Sequence, residues 1–170
     1  MSFDCVAASL ASEGRFTEAD CLALPKFAEK MLENLNFGWS KIDLESYDGY
    51  PLTMVRLTTD NEGTPLVDTK GPLMLVHGLQ RDALSMLCDC ALTYPTEFAL
   101  AGYDVYMVNL RGTPGSKGTT AGGVDPDDIP AGTEAWWDFD DITQGKNDIP
   151  AFVNAILQNR YDESAACQKV

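Results

Sequence analysis

Three kinds of hydrophobic spacing follow one another along this 170-residue chain, and each predicts a different element. In "FTEADCLALPKFAEKMLENLNF" the apolar residues Leu24, Phe27, Met31, Leu32 and Leu35 recur at helical intervals. Thr17 is placed to cap that helix, and Pro25 to break it or start one piece of it. "KIDLESYDGYPLTMVRLTT" predicts a hairpin. Ile42 and Leu44 lie on one arm, Leu52, Met54, Val55 and Leu57 on the other, and Asp48-Gly49 is the turn. After the polar loop "DNEGTPLVDTKG", the run "PLMLV" has no alternation at all, which is the mark of a strand covered on both faces, as in a parallel sheet. Each such side chain is worth about 1.5–3 kcal/mol when fully buried. A helix is expected across "ALSMLCDCALTYPTEFALAG", interrupted near Pro95 and stopped at Gly102, and "YDVYMVNL" is a second strand. "NDIPAFVNAILQNRYD" predicts an amphipathic helix capped by Asp148, with Pro150 in its first turn and an apolar face of Phe152, Val153, Ile156 and Leu157.

The middle of the chain therefore reads β–α–β, the unit of a parallel sheet with right-handed crossovers. The fold class expected is α/β, with an antiparallel hairpin leading into parallel units. The length suits a single domain able to bury a sizeable core, and no repeat or low-complexity tract interrupts it.

Composition narrows the partners. The chain is 45% hydrophobic and 22% charged, ordinary values for a globular protein. Its formal charge of −14, from 26 acids and 12 bases, argues against nucleic acid and against an anionic membrane surface, both of which require clustered Lys and Arg. No stretch reaches the ~18 apolar residues of a membrane span. In "MSFDCVAASLASEGR", Asp4 stands where a secretory signal would carry a base, so no signal is read there.

Metal chemistry finds little support. The five cysteines have no regular spacing, and Cys88 and Cys90, two apart in an expected helix, point to opposite sides. They are expected to be buried structural thiols. The acidic stretch "VDPDDIPAGTEAWWDFDD" lacks the register of a calcium loop. No cofactor and no metal are expected.

The remaining chemistry lies in an ordered set of motifs. "YDGYPLTMVRL", "LMLVHGLQ", "LAGYDVYMVNLRGTPGSKG", "WWDF" and "NDIPAFVNAIL" succeed one another between about Trp39 and Gln158. In that order they resemble the acid lipase family, the gastric and lysosomal acid lipases and related esterases, all α/β-hydrolases. On that resemblance, residues 1–38 form an N-terminal helical segment and 39–170 part of an α/β-hydrolase domain. The resemblance implies that the backbone N–H of Leu79, after His77 and Gly78, is one donor of an oxyanion hole. A fixed N–H stabilises the tetrahedral oxyanion of ester hydrolysis without reorganising, and one such donor is worth about 2.7–4 kcal/mol of barrier. Gly78 would let the backbone turn tightly at the strand end.

His77 is the single histidine of the chain, and a histidine at the end of a buried strand suggests a catalytic base. In this fold, however, the triad runs Ser…Asp…His, with the histidine last. His77 is therefore expected to hydrogen-bond nearby backbone and fix the loop. Gln80 departs from the apolar residue of the family and would alter an acyl pocket. Arg111, with Gly112, matches a family loop beside the site, with either loop folding or substrate contact as its role. Trp136 and Trp137 match an aromatic pair, as core packing or as a lipid-facing wall.

A nucleophile is missing. There is no G-x-S-x-G; Ser116, in "TPGSKG", comes after a long loop and has no base to activate it. The resemblance places the nucleophile elbow just beyond "NAILQNRYDESAACQKV", with the acid, base and cap after it. The expectation is an N-terminal part of a lipase acting on acylglycerols or sterol esters, inactive alone, in a lysosomal or secreted compartment by resemblance. The alternative is a non-catalytic module whose sheet edge a partner strand completes.

Overall fold

The computed structural model describes residues 28–79, 81–87, 93–113, 116 and 138–167. The elements run α1 (Ala28–Asn34), β1 (Gly38–Glu45), β2 (Pro51–Thr59), β3 (Pro72–Val76), a 3-10 turn (Ala83–Met86), α2 (Tyr94–Leu100), β4 (Asp104–Asn109), α3 (Asp141–Thr143), a π-helical turn (Gln144–Asp148) and α4 (Ile149–Cys167). The four strands form one mixed sheet in the order β1-β2-β4-β3. β1 and β2 pair antiparallel from Gly38↔Thr59 to Glu45↔Pro51, which is the hairpin expected from the sequence. β2 joins β4 antiparallel, Thr53 opposite Asn109, while β3 and β4 run parallel, Pro72 opposite Asp104 and Val76 opposite Val108. The α/β class, with a hairpin leading into a parallel β–α–β unit, is thus the architecture found.

Alternation along the strands divides the core into two layers. Leu52 and Met54 of β2 and Tyr106 and Val108 of β4 meet Phe152 and Ile156 of α4. On the opposite face, Val55, Leu57, Val105 and Met107 meet Met31, Leu32, Met86, Leu87 and Ala99. β4, buried at every position, is the centre. The unbroken apolar run of "PLMLV" predicts cover on both faces, but its burial is only partial and Val76 is 43% exposed. Among the described residues β3 has one neighbour, β4, so it lies at the sheet edge.

Helix ends obey local chemistry. α1 stops in a Schellman arrangement: Phe37 N–H bonds Leu32 C=O at 2.9 Å and Asn36 N–H bonds Glu33 C=O at 3.0 Å, with Asn36 at φ 60°. α2 ends the same way at Gly102, as expected, with φ +94°. The helix expected from Ala83 onward is instead a 3-10 turn and then a separate helix starting at Tyr94, with Pro95 in its first turn; Cys88 and Cys90 lie outside the described residues.

The last helix departs most from expectation. Asp148 does not cap it. The cap is Asp140, whose carboxylate accepts the Thr143 N–H at 2.7 Å. Helix runs on from there through a π turn, and Asp148, at its end, is fully buried. Phe152 and Ile156 point inward, whereas Val153 (40% exposed) and Leu157 (56%) lie on the outer side instead of the expected apolar face.

Candidate functional site

In parallel sheets, binding sites form outside the carboxyl ends of the strands. At the ends of β3 and β4, two loops meet. After β3, His77 leads into a turn in which Gly78 C=O accepts the Arg81 N–H at 3.1 Å. After β4 come Leu110, Arg111 and Gly112.

The second loop is held by three successive backbone N–H groups, each given to a side chain from a different element. Leu110 N–H donates to His77 Nε2 at 3.1 Å, Arg111 N–H to the Asp148 carboxylate at 3.1 Å, and Gly112 N–H to the Tyr50 hydroxyl at 3.1 Å. The end of β3, the π turn and the hairpin therefore converge on three consecutive residues. Burial pushes the Tyr50 hydroxyl up to about 12, so it stays protonated through the physiological range.

The histidine geometry fixes a tautomer. Nε2 accepts from Leu110, so the proton sits on Nδ1, which lies 2.9 Å from the Gly78 carbonyl oxygen and donates to it. Both ring nitrogens are thereby occupied by backbone groups. Leu79, next in the chain, is 93% exposed, and among the described residues no acceptor faces its N–H. Gly78 is not demanded by the backbone in the way its sequence position suggests. Its φ is not positive, and a Cβ added there would meet nothing within 4 Å.

Arg111 is buried and clasped from two sides. Its Nε and one terminal nitrogen donate to the same Asp148 oxygen at 2.9 and 2.6 Å, and both terminal nitrogens fork onto Asp48 at 2.9 and 2.6 Å. The guanidinium also lies 4.9 Å from the Tyr50 ring centroid. Burial by itself would lower the guanidinium pKa, but the hydrogen bonds and charges of Asp48 and Asp148 outweigh it and raise it. In return the Arg111 hydrogen bond holds Asp48 down at about 2. Ser46 completes the cluster, accepting from Tyr50 N–H at 2.8 Å and donating to Asp48.

Ser116 is fully buried. Its hydroxyl donates to the Asn109 carbonyl and accepts Thr53 N–H at 2.9 Å. With both roles taken it pins the end of β4 to β2, and it has no exposed oxygen to present to a substrate. The Asn109 side chain does parallel work, donating to Thr53 at 3.0 Å and accepting Ala83 N–H at 2.8 Å.

Of the residues singled out by sequence, His77, Gly78, Leu79 and Arg111 come together here, while Gln80, Trp136 and Trp137 lie outside the described residues. Asp48, Tyr50 and Asp148 belong to the same assembly, although the local sequence suggests only a turn for Asp48 and only a cap for Asp148. An uncompensated Arg at a strand end, in a chain this acidic, is the available signal that buried carboxylates are needed. Among the described residues no group of three His, Cys, Asp or Glu side chains could hold a metal, and no helix is long and apolar enough to cross a membrane.

No protein-family model matches the chain. Two curated proteins do. Lipase member M of Mus musculus is 26% identical over 132 residues, which is 76% of this chain and 29% of that protein. The probable lipase C14C8.15 of Schizosaccharomyces pombe is 31% identical over 130 residues, 71% of this chain and 26% of that protein. The chain thus spans less than a third of the length of these relatives. Over about three quarters of its own residues, it is lipase-like.

Proposed function

We propose that this chain is the oxyanion-side part of a serine ester hydrolase acting on lipid esters, acylglycerols or sterol esters, of the acid lipase type. Its Ser, Asp and His would be supplied by sequence other than these residues. The observation that carries this reading is the turn at the carboxyl end of β3. There the Leu79 N–H faces no acceptor among the described residues, while the Gly78 carbonyl of the same peptide is engaged twice. A donor held in place before the reaction is what a developing oxyanion needs. The similarity to two lipases supports the substrate class.

On this reading the 170-residue chain alone hydrolyses no ester. Purified chain incubated with a short-chain nitrophenyl ester should give the buffer rate; serine-reagent-sensitive turnover would sink the proposal. The positive test uses the native polypeptide, defined by its intact mass and transcript, if it carries G-x-S-x-G with a later Asp and His. There, Leu79→Pro removes the N–H, while position two of a β-turn tolerates proline. A fall in kcat of about 10²–10³-fold is expected.

One observation favours a second reading. β3 is an edge strand among the described residues, with Val76 exposed, so a partner strand could complete the sheet in a non-catalytic assembly. A native polypeptide without an elbow, recovered in a stable complex, would select it.

A further inference from the structure

Neither catalysis nor helix capping accounts for the buried Asp148 in the π turn. A fully buried carboxylate is costly to desolvate, and a π turn is a weaker helical geometry than the α-helix around it. Asp148 uses one oxygen for the Arg111 guanidinium and the other for the Arg111 backbone N–H. The carboxylate therefore fixes the main chain of residue 111 as well as its side chain. One residue earlier, the Leu110 N–H meets His77 Nε2 at 3.1 Å. That bond places the ring and keeps its proton on Nδ1, which donates to Gly78 C=O at 2.9 Å.

The last link is covalent. A trans peptide holds its C=O and N–H in one plane, pointing in opposite directions. The Gly78 carbonyl and the Leu79 N–H belong to the same peptide, and it is not cis. Drawing the carbonyl toward His77 and Arg81 N–H therefore turns the Leu79 N–H the other way, outward from the turn. We propose that Asp148 and Arg111 are positioning residues that aim the Leu79 N–H, acting through the Leu110 N–H and the Nδ1-protonated ring of His77. The inference deepens the hydrolase reading and rests on it for its functional meaning. Its geometric content stands separately.

The test is nitrogen NMR on the full chain labelled with 15N-histidine and 15N-leucine, which has one histidine to observe and also reports the Leu79 amide resonance. In the unaltered chain with the ring neutral, the proton should sit on Nδ1. In Asp148→Asn and the milder Arg111→Lys, the ring should lose that preference and the Leu79 amide should shift. Asp104→Asn breaks a different buried cluster, at the opposite end of β4, and should lower stability while leaving both signals in place. Two results would overturn the inference. One is an Nε2-protonated ring in the unaltered chain, which decides the matter even if a variant fails to fold. The other is a folded Asp148→Asn chain that is less stable yet keeps the ring proton and the Leu79 amide unchanged. The spectra involve no ester and no nucleophile. A Leu79→Pro enzyme with normal turnover would refute the hydrolase reading without touching this measurement.

Discussion

Arg111 shows how differently two carboxylates around one cation can count. Asp148 is fully buried and Asp48 is 39% exposed in its side chain. Removing one partner of a buried pair leaves an uncompensated charge, so Arg111→Ala or Asp148→Ala should cost about 3–5 kcal/mol in urea unfolding. Asp48→Asn should cost about 1 kcal/mol, because solvent already screens that pair. The same pair sets a pH dependence. The folded pKa of Asp48 lies below its ordinary value of 3.8, at about 2, so its contribution is complete above pH ~4. That contribution is lost as pH falls through 3.8 toward 2, and the Asp48→Asn chain should show a flatter acid limb over that window. Unfolding midpoints at several pH values check both statements. The site is only partly legible residue by residue. "HGL" and "RG" mark residues that do meet, but the partners Asp48 and Asp148 lie 63 and 37 residues from Arg111, and no local pattern encodes such distances.

Among the elements, those whose signal is local are legible in the sequence. The hairpin rests on alternation and an Asp-Gly turn, with Gly49 at φ +82°. The end of α2 rests on Gly102, at φ +94° and with Thr69 Oγ1 only 2.3 Å from where a Cβ would stand. Gly102→Ala carries both backbone strain and a clash, and is expected to lower stability by about 1–3 kcal/mol, seen as a lower urea midpoint. The last helix misleads for a definable reason. Phe152, Val153, Ile156 and Leu157 all lie in the regular α4 and do share a broad helical stripe, but the sheet covers only the Phe152 and Ile156 side of it. Asp148, the residue that looks like a cap, ends a π turn inside a helix already under way, and the real cap, Asp140, sits eight positions earlier. The second buried cluster leaves no local trace at all. Asp104, at the start of β4, takes Arg56 at 2.7 Å, the Tyr106 hydroxyl at 2.8 Å and Arg160 at 3.3 Å, joining strands and helix across the sheet. Burial holds the Tyr106 hydroxyl up near 12, as a donor.

For the whole molecule, the sheet order decides what is exposed. β3 presents one paired side and one edge among the described residues, and Val76, Val153 and Leu157 are all more than a third exposed. An unpaired apolar edge templates further strand pairing. The isolated chain should therefore self-associate as its concentration rises, and Val76→Lys should suppress this in sedimentation velocity. A sharp, concentration-independent unfolding of a monomer would contradict it. The order β1-β2-β4-β3 also sets a schedule. β1 and β2 are neighbours in sequence and can close early, whereas β4 must find β2 across some fifty residues, a slower closure. β3 precedes β4 in the chain, yet β4 is its one partner among the described residues, so it must wait for a strand made later. During synthesis "PLMLV" emerges before β4, its one partner among the described residues, and the turn it carries takes its shape only once β4 has joined it.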